Sequence, residues 1–378
     1  MSFRKLGSLA LLFVVLSMLV AACGGAATPA AATEAPQETE AAAVEPAAPS
    51  TEAPAATEQV APANAPTELN IAAIFITPLE ETWAMSFYQS MQRVMEAKPH
   101  GVKINMDYTE NVYGDDAERV IREYAKTGKY QIIWATSGFS DQVKKVKDDF
   151  PEILFVVSGS GNEGLGGNVY WTYTHIHEPA FLMGMVAGLM TKSNVIGIVA
   201  SYPYDDINDG LNGYIDGAKA VNPNIKVKVT FIESWYDPAK AKEAAYAQIA
   251  AGADYIYAER FGPFEACKEK GVHAFGQYLD QYDLSPEVVA TSTLALWEPQ
   301  INYIIDQWWA HVTEGKAYDG PKEPVWFTMA QGSGDIAPYH DFEALMPDDV
   351  KAKVAQARQD ILDGKLQVEL KLDPPTSD

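Results

Sequence analysis

Cysteine and positive charge are both scarce in this chain. Only Cys23 and Cys267 occur among 378 residues, too few for a disulfide framework. Lys and Arg number 28 against 51 Asp and Glu, for a net charge of −23 at pH 7. A body that acidic repels phosphates, which argues against nucleic acid as a partner. Catalytic motifs are missing as well: there is no G-x-S-x-G elbow and no zinc-protease motif. The Gly-rich stretch 158–167 lacks the Lys-Ser/Thr ending of a phosphate loop and reads as a flexible loop. Asp205-Asp206 reads as adjacent acids in a loop, which so acidic a chain produces by chance. No internal repeat of solenoid length is present.

What is there begins with the N-terminus. Arg4 and Lys5 precede an apolar run from Leu9 to Val20, then Ala21-Ala22-Cys23. A short basic end, an apolar centre and small residues at a cleavage point make an export signal. Leu19-Val20-Ala21-Ala22-Cys23 resembles a bacterial lipobox, which implies lipidation of Cys23 as the new N-terminus. That modification would leave Cys267 without a disulfide partner, and Cys267 reads as a small buried hydrophobe. Residues 24–68 hold no aromatic residue and no positive charge. Seventeen Ala and seven Pro fall within Gly24–Pro66. Proline interrupts helix and nothing large is available to bury, so an unfolded tether is expected. The leader carries two positive charges and the tract seven glutamates, which leaves −18 on residues 69–378.

The body alternates β-rich apolar runs with helical patterns. Strands are expected at 69–76, 102–108, 130–135, 153–157, 195–199, 225–231, 253–257 and 272–275. Helices are expected at 83–97, 115–127, 140–150, 179–192, 209–221, 238–251 and 263–270, then at 345–364, with a closing strand at 366–372. Asp237-Pro238 supplies an N-cap followed by proline at the first helical position. Such alternation with short connections gives an α/β fold, parallel sheets with helices on both faces. Two successive lobes of this kind place the ligand site at the strand carboxyl ends, in the cleft between them.

Aromatic residues recur in the loops at those ends: Trp83, Phe139, Trp235, Tyr236, Phe261 and Trp297. Polar groups accompany them, among them Glu80-Glu81, Asp141, Asp237, Glu259-Arg260 and Glu298. Flat rings give stacking surface and polar neighbours give directional hydrogen bonds, as a pocket for a heterocycle requires. His175-x-His177-Glu178 is the only close histidine pair. No further His or Cys lies near it, and Glu178-Pro179 suits a helix start, so no metal site is expected.

Five stretches within or bordering the span from Ser193 to Gln281 are specific: Thr191-Lys-Ser-Asn-Val-Ile-Gly-Ile-Val199, Asn212-Gly-Tyr-Ile-Asp-Gly-Ala-Lys-Ala-Val-Asn-Pro-Asn-Ile-Lys-Val227, Ser234-Trp-Tyr-Asp-Pro-Ala-Lys-Ala-Lys242, Gly252-Ala-Asp-Tyr-Ile-Tyr257 and Asp280-Gln281. On these the chain resembles the basic membrane protein family, the substrate-binding lipoproteins of ABC transporters, best understood for purine nucleosides. The resemblance extends over about residues 69–372. It implies a type I periplasmic-binding-protein fold, two doubly wound parallel-sheet lobes joined by three hinge crossovers. By the same resemblance Trp235 stacks on the ligand's base and Asp280 holds ribose hydroxyls. Phe139 and Asp141 lie in a loop lining the cleft, and Gly262 presents backbone to the ligand. Two positions depart from the family pattern: Pro78-Leu-Glu-Glu-Thr-Trp83 replaces a Gly/Asn/Asp-rich loop, and Ala295 stands near a position commonly held by Lys.

The expectation is therefore a monomeric, lipid-anchored solute-binding protein with no cofactor and no catalysis. Its partners would be a purine- or nucleoside-like ligand and the permease and ATPase of an ABC importer. A flavin-like cargo, or a sensor subunit presenting its closed form to a receptor, is the alternative. Expected site residues are Glu80, Trp83, Phe139, Asp141, Trp235, Arg260, Gly262, Asp280 and Trp297. Lobe 1 is expected to comprise 69–175 plus about 292–320, and lobe 2 to comprise 176–291 plus about 321–378.

Overall fold

The computed structural model describes residues 65–378. The expected signal peptide, with Cys23, and nearly all of the expected tether lie outside the described residues. Two six-stranded sheets form in sequence order, each from short buried strands whose crossovers are helices. The first uses β1 (Glu68–Ile74), β2 (Lys103–Thr109), β3 (Ile132–Ala135), β4 (Leu154–Val157) and β5 (Val169–Thr174). The second uses β6 (Val195–Ala200), β7 (Lys226–Phe231), β8 (Tyr255–Ala258), β9 (His273–Gly276) and β10 (Val289–Ala295). β11 (Val325–Phe327) returns to the first sheet and β12 (Gly334–Ile336) to the second. The orders are β11-β5-β4-β3-β1-β2 and β12-β10-β9-β8-β6-β7, parallel throughout except for the β10–β12 pair. The chain thus crosses between lobes three times: after β5, after β10, and between β11 and β12.

The helices are α1 (Thr82–Ala97), α2 (Asp116–Lys126), α3 (Ser140–Lys144), α4 (His177–Met190), α5 (Asp205–Val221), α6 (Pro238–Ala250), α7 (Pro263–Lys270), α8 (Glu298–Glu314) and α9 (Asp348–Leu362). Strand periodicity explains where they pack. In the second lobe Ile196, Ile198, Tyr255, Tyr257 and Phe275 face one core with α4, α5 and α9. Val199, Ile256 and Ala274 face the other with α6 and α7, and Cys267 is fully buried there. Burial pushes its thiol up to about 12. α4 and α5 approach very closely because glycines line their seam. A Cβ at Gly184 would lie 2.0 Å from the Tyr214 carbonyl oxygen, and one at Gly217 would lie 1.9 Å from that of Phe181.

The expected doubly wound lobes are present, with several local corrections. β5, β10, β11, β12 and α8 extend the expected set of elements. The 140–150 helix breaks after Lys144, leaving a short 3₁₀ turn at Lys147–Asp149. Residues 366–372 form no strand. That segment instead gives backbone carbonyls to Asn208 and Asn212, and the chain end bonds the β7 edge through Asp378. Pro374-Pro375 offers no amide donors, so a continuous ladder there is barred. The strands also divide differently from the boundaries at 292 and 321. All of β10 belongs to the second sheet, whereas β11 belongs to the first. Among the described residues no helix is long and apolar enough to cross a membrane.

Candidate functional site

The strand carboxyl ends of both lobes converge on one cleft. Its walls include Thr77, Glu81 and Trp83 from the β1–α1 connection and Ser137 after β3. From the second lobe come Asp206 at the start of α5, Trp235 after β7, Arg260 after β8 and Tyr278 after β9. The cavity left between these side chains is about 20 Å³, room for about one water. A heterocycle therefore enters only when the lobes part.

Glu81 is fixed by the helix it caps. Its side chain accepts from the Trp83 amide at 2.9 Å, satisfying an otherwise free donor of the first turn, and from the Thr82 hydroxyl at 3.1 Å. Capping aims the carboxylate into the cleft, where Arg260 Nη1 meets it at 2.7 Å. Arg260 also lies 2.9 Å from Glu259 and 3.3 Å from the Ser201 hydroxyl. Its guanidinium sits over the Trp235 ring, 5.4 Å from the centroid. Trp83 donates its indole N–H to the Thr136 carbonyl at 2.7 Å, and its ring packs edge-on to Tyr278 and Trp297.

A second set of contacts spans the cleft farther along. Ser160 donates to Asp206 at 2.6 Å, the Gly161 amide donates to Asp205 at 3.2 Å, and Tyr173 donates to the Asp206 carbonyl at 2.9 Å. The Gly-rich segment is thus a contact surface in this structure, and Asp205-Asp206 opens α5. Five acids gather here: Glu81, Asp205, Asp206, Asp209 and Glu259. Burial pushes Asp206 up to about 6, against the Ser160 hydrogen bond and with a further rise from Asp205. Burial pushes Glu259 up to about 7, against Arg260 and the Ser201 amide. Asp209, fully buried, is raised well above the ordinary carboxylate range by burial, with its neighbouring acids adding to the rise.

Of the expected site residues, the structure brings Trp83, Trp235 and Arg260 together. Glu80 is exposed, and its neighbour Glu81 takes the cleft position. Phe139 is 3% exposed within the first lobe's core, and Asp141 points to solvent from the first turn of α3. Trp297 is fully buried, its indole N–H donating to Ser86 at 2.9 Å. Asp280 is exposed and paired with His340 at 2.7 Å. Gly262 caps α7 at φ 124°, where a Cβ would lie 2.2 Å from the Pro238 carbonyl oxygen, so its glycine is required by close packing. Ala295 is buried, its amide bonded to the Tyr278 carbonyl. Glu81, Asp206 and Tyr278 were not among the expected ligand residues. Asp206 had a usable signal: paired acids just before a helical pattern belong at a helix start.

Comparison with known proteins places this architecture. A family model described as ABC transporter substrate-binding protein, PnrA-like (Bmp), matches residues 80–318. A purine-binding protein of Brucella abortus (strain 2308) is 30% identical over 308 residues, covering 80% of this chain and 84% of that one. A Haloferax volcanii protein named for an ABC transporter glucose-binding role is 28% identical, covering 79% of this chain and 74% of its own. Among solved structures, an ABC transporter solute-binding protein from Aeropyrum pernix K1 superposes with a TM-score of 0.67 at 16% identity, over 81% of this chain and 94% of that one. The fold is the type I periplasmic-binding-protein fold that the sequence led us to expect.

Proposed function

The chain belongs to the Bmp family of ABC transporter substrate-binding proteins, PnrA-like in description, and on that footing we propose that it captures a purine base or nucleoside and delivers it to an importer permease. The observation that carries this reading is the convergence of Trp83 and Trp235, one ring from each lobe, with Glu81, Asp206 and Arg260 in a single cleft. Rings from both lobes offer stacking surface to a planar base. The carboxylates accept from exocyclic amines, ring N–H groups or ribose hydroxyls, and Arg260 donates to ring acceptors. Five acids around one arginine disfavour a phosphate, so the cargo is a base or nucleoside rather than a nucleotide. Contacts to both lobes exist only with the lobes together, so ligand shifts the open–closed equilibrium. Cys23 supplies a lipid anchor that keeps the binder beside its permease.

A hexose is the second reading, favoured by the name of the Haloferax relative, because rings and carboxylates also suit a sugar. Calorimetric titration with adenine, adenosine, guanosine and glucose separates the two. We expect binding of a purine or nucleoside, weakened at least about tenfold in Trp235→Ala, a loss on the scale of one stacking contact. Phe139→Ala, a core change, should lower thermal stability with little change in affinity. Binding of glucose alone, or full affinity in Trp235→Ala, would overturn the assignment.

A further inference from the structure

A second cluster of chemistry-bearing side chains lies away from the cleft, where the chain first crosses from lobe 1 to lobe 2. His175 follows β5, while His177 and Glu178 form the first turn of α4. One ligand atom from each of the three lies within 4.8 Å of the others. His175 Nδ1 and Glu178 Oε1 are 3.4 Å apart, and the two imidazole centroids are 4.7 Å apart. His177 is 1% exposed and its Nδ1 has no hydrogen-bond partner. The ring does contact the Val368 backbone. His177 therefore carries a buried ring nitrogen that no group of the described residues satisfies. Glu178 is also oriented: Oε2 accepts from the Met329 amide at 2.7 Å, which leaves Oε1 for another partner.

We propose that His175, His177 and Glu178 form a hinge site for a divalent transition metal, with Zn²⁺ the best match to the donors. Two imidazoles and one carboxylate are a familiar zinc donor set, with a fourth position left to water. At zinc–ligand distances of about 2.0–2.2 Å, tetrahedral ligands stand roughly 3.3 Å apart. The His175–Glu178 separation of 3.4 Å already fits, and the remaining separations, within 4.8 Å, require His177 and the other two side chains to close in on the ion. An amide on the far oxygen of a ligating carboxylate, as Met329 supplies to Glu178, is the kind of outer support such sites use.

The position gives the metal a mechanical consequence. The His175 amide bonds the Phe327 carbonyl at 2.7 Å, and Glu178 holds Met329, so the ligands sit where two of the three crossovers run side by side. A metal there would fasten the β5–α4 crossover more firmly against the β11–β12 crossover, reducing hinge freedom without touching the cleft.

Equilibrium dialysis of the full chain against Zn²⁺, with bound metal counted by mass spectrometry, tests the site. We expect one tightly held Zn²⁺ per chain and a zinc-dependent rise in the unfolding temperature. Glu178→Gln retains an acceptor for Met329, and His175→Gln alters a half-buried ring, so both should fold. Each should weaken zinc affinity about tenfold or more and abolish the thermal shift. Absence of bound zinc in the unaltered chain would overturn the proposal. So would undiminished affinity in both variants, which would assign the metal to surface pairs such as His340–Asp280.

Discussion

Arg260 reaches from the second lobe to Glu81 of the first, its Nη1 2.7 Å from Oε1, with the two side chains 5% and 2% exposed. The same guanidinium lies beside Glu259 and over Trp235, so one cation pairs with an acid from each wall and braces a candidate stacking ring. Removing it would leave Glu81 and Glu259 buried without a counter-charge.

Breaking a buried pair from one side typically costs about 3–5 kcal/mol, because the remaining charge has lost its solvent and its partner. Here the molecule has an exit other than unfolding. Parting the lobes lets water reach the acids. Arg260→Ala is therefore expected to open the cleft, seen as a larger radius of gyration by small-angle X-ray scattering, with weaker cargo binding. Arg260→Lys should fall between, since an ammonium cannot serve Glu81 and Glu259 in the fork geometry of a guanidinium. An unchanged radius in Arg260→Ala would mean that the lobes are held together by other contacts.

The acid cluster also sets a pH dependence. Glu259 is raised from 4.5 to about 7, so between those values the folded chain binds more protons there than the unfolded chain does. Stability contributed by this group is present below pH 4.5 and lost as pH rises through 7. His177, lowered from 6.5 to about 3 chiefly by burial and then by His175, acts in the opposite sense below pH 6.5. The comparison that isolates Glu259 is therefore between the native chain and Glu259→Gln, which share His177. The stability of Glu259→Gln relative to the native chain should rise from pH 5 to about 7.5 and then level off. Urea unfolding at several pH values checks this, and parallel curves would remove Glu259 from the account.

Much of the fold was legible because its local signals agree with its packing. Asp237-Pro238 marked the start of α6, and the Asp237 side chain does accept from the Lys240 amide at 3.0 Å. β10 escaped because Val-Ala-Thr-Ser-Thr-Leu-Ala looks polar, yet its hydroxyls are satisfied by distant partners. Thr291 bonds the Ala337 carbonyl at 2.6 Å and Thr293 bonds Gln277 at 3.1 Å. For α8 the signal was available: Ile301, Ile304, Ile305 and Trp308 recur at helical spacing. The cleft was read only in part for a different reason. An aromatic at a strand end can face the cleft, as Trp235 does, or the core, as Trp297 does, and sequence does not distinguish them. Glu81 and Arg260 come together across 179 residues, and nothing local announces such a pair.

Gly217 offers a test of the α4–α5 seam whose sign is not obvious in advance. It sits inside α5, where helix propensity alone favours alanine by about 1 kcal/mol. Against that stands a Cβ position 1.9 Å from the Phe181 carbonyl oxygen and 2.7 Å from its carbon. Those atoms are backbone, so no rotamer change relieves the overlap and the helices must separate. Overpacking typically costs about 1–3 kcal/mol, and a displaced helix pair lies at the upper end of that range. Gly217→Ala should accordingly lose about 2 kcal/mol or more, measured by urea unfolding with fluorescence and circular dichroism in parallel. A stabilised Gly217→Ala would show that propensity wins and that the seam has room to spare. The second lobe's rigidity would then have to come from its sheet rather than from the contact of its two central helices.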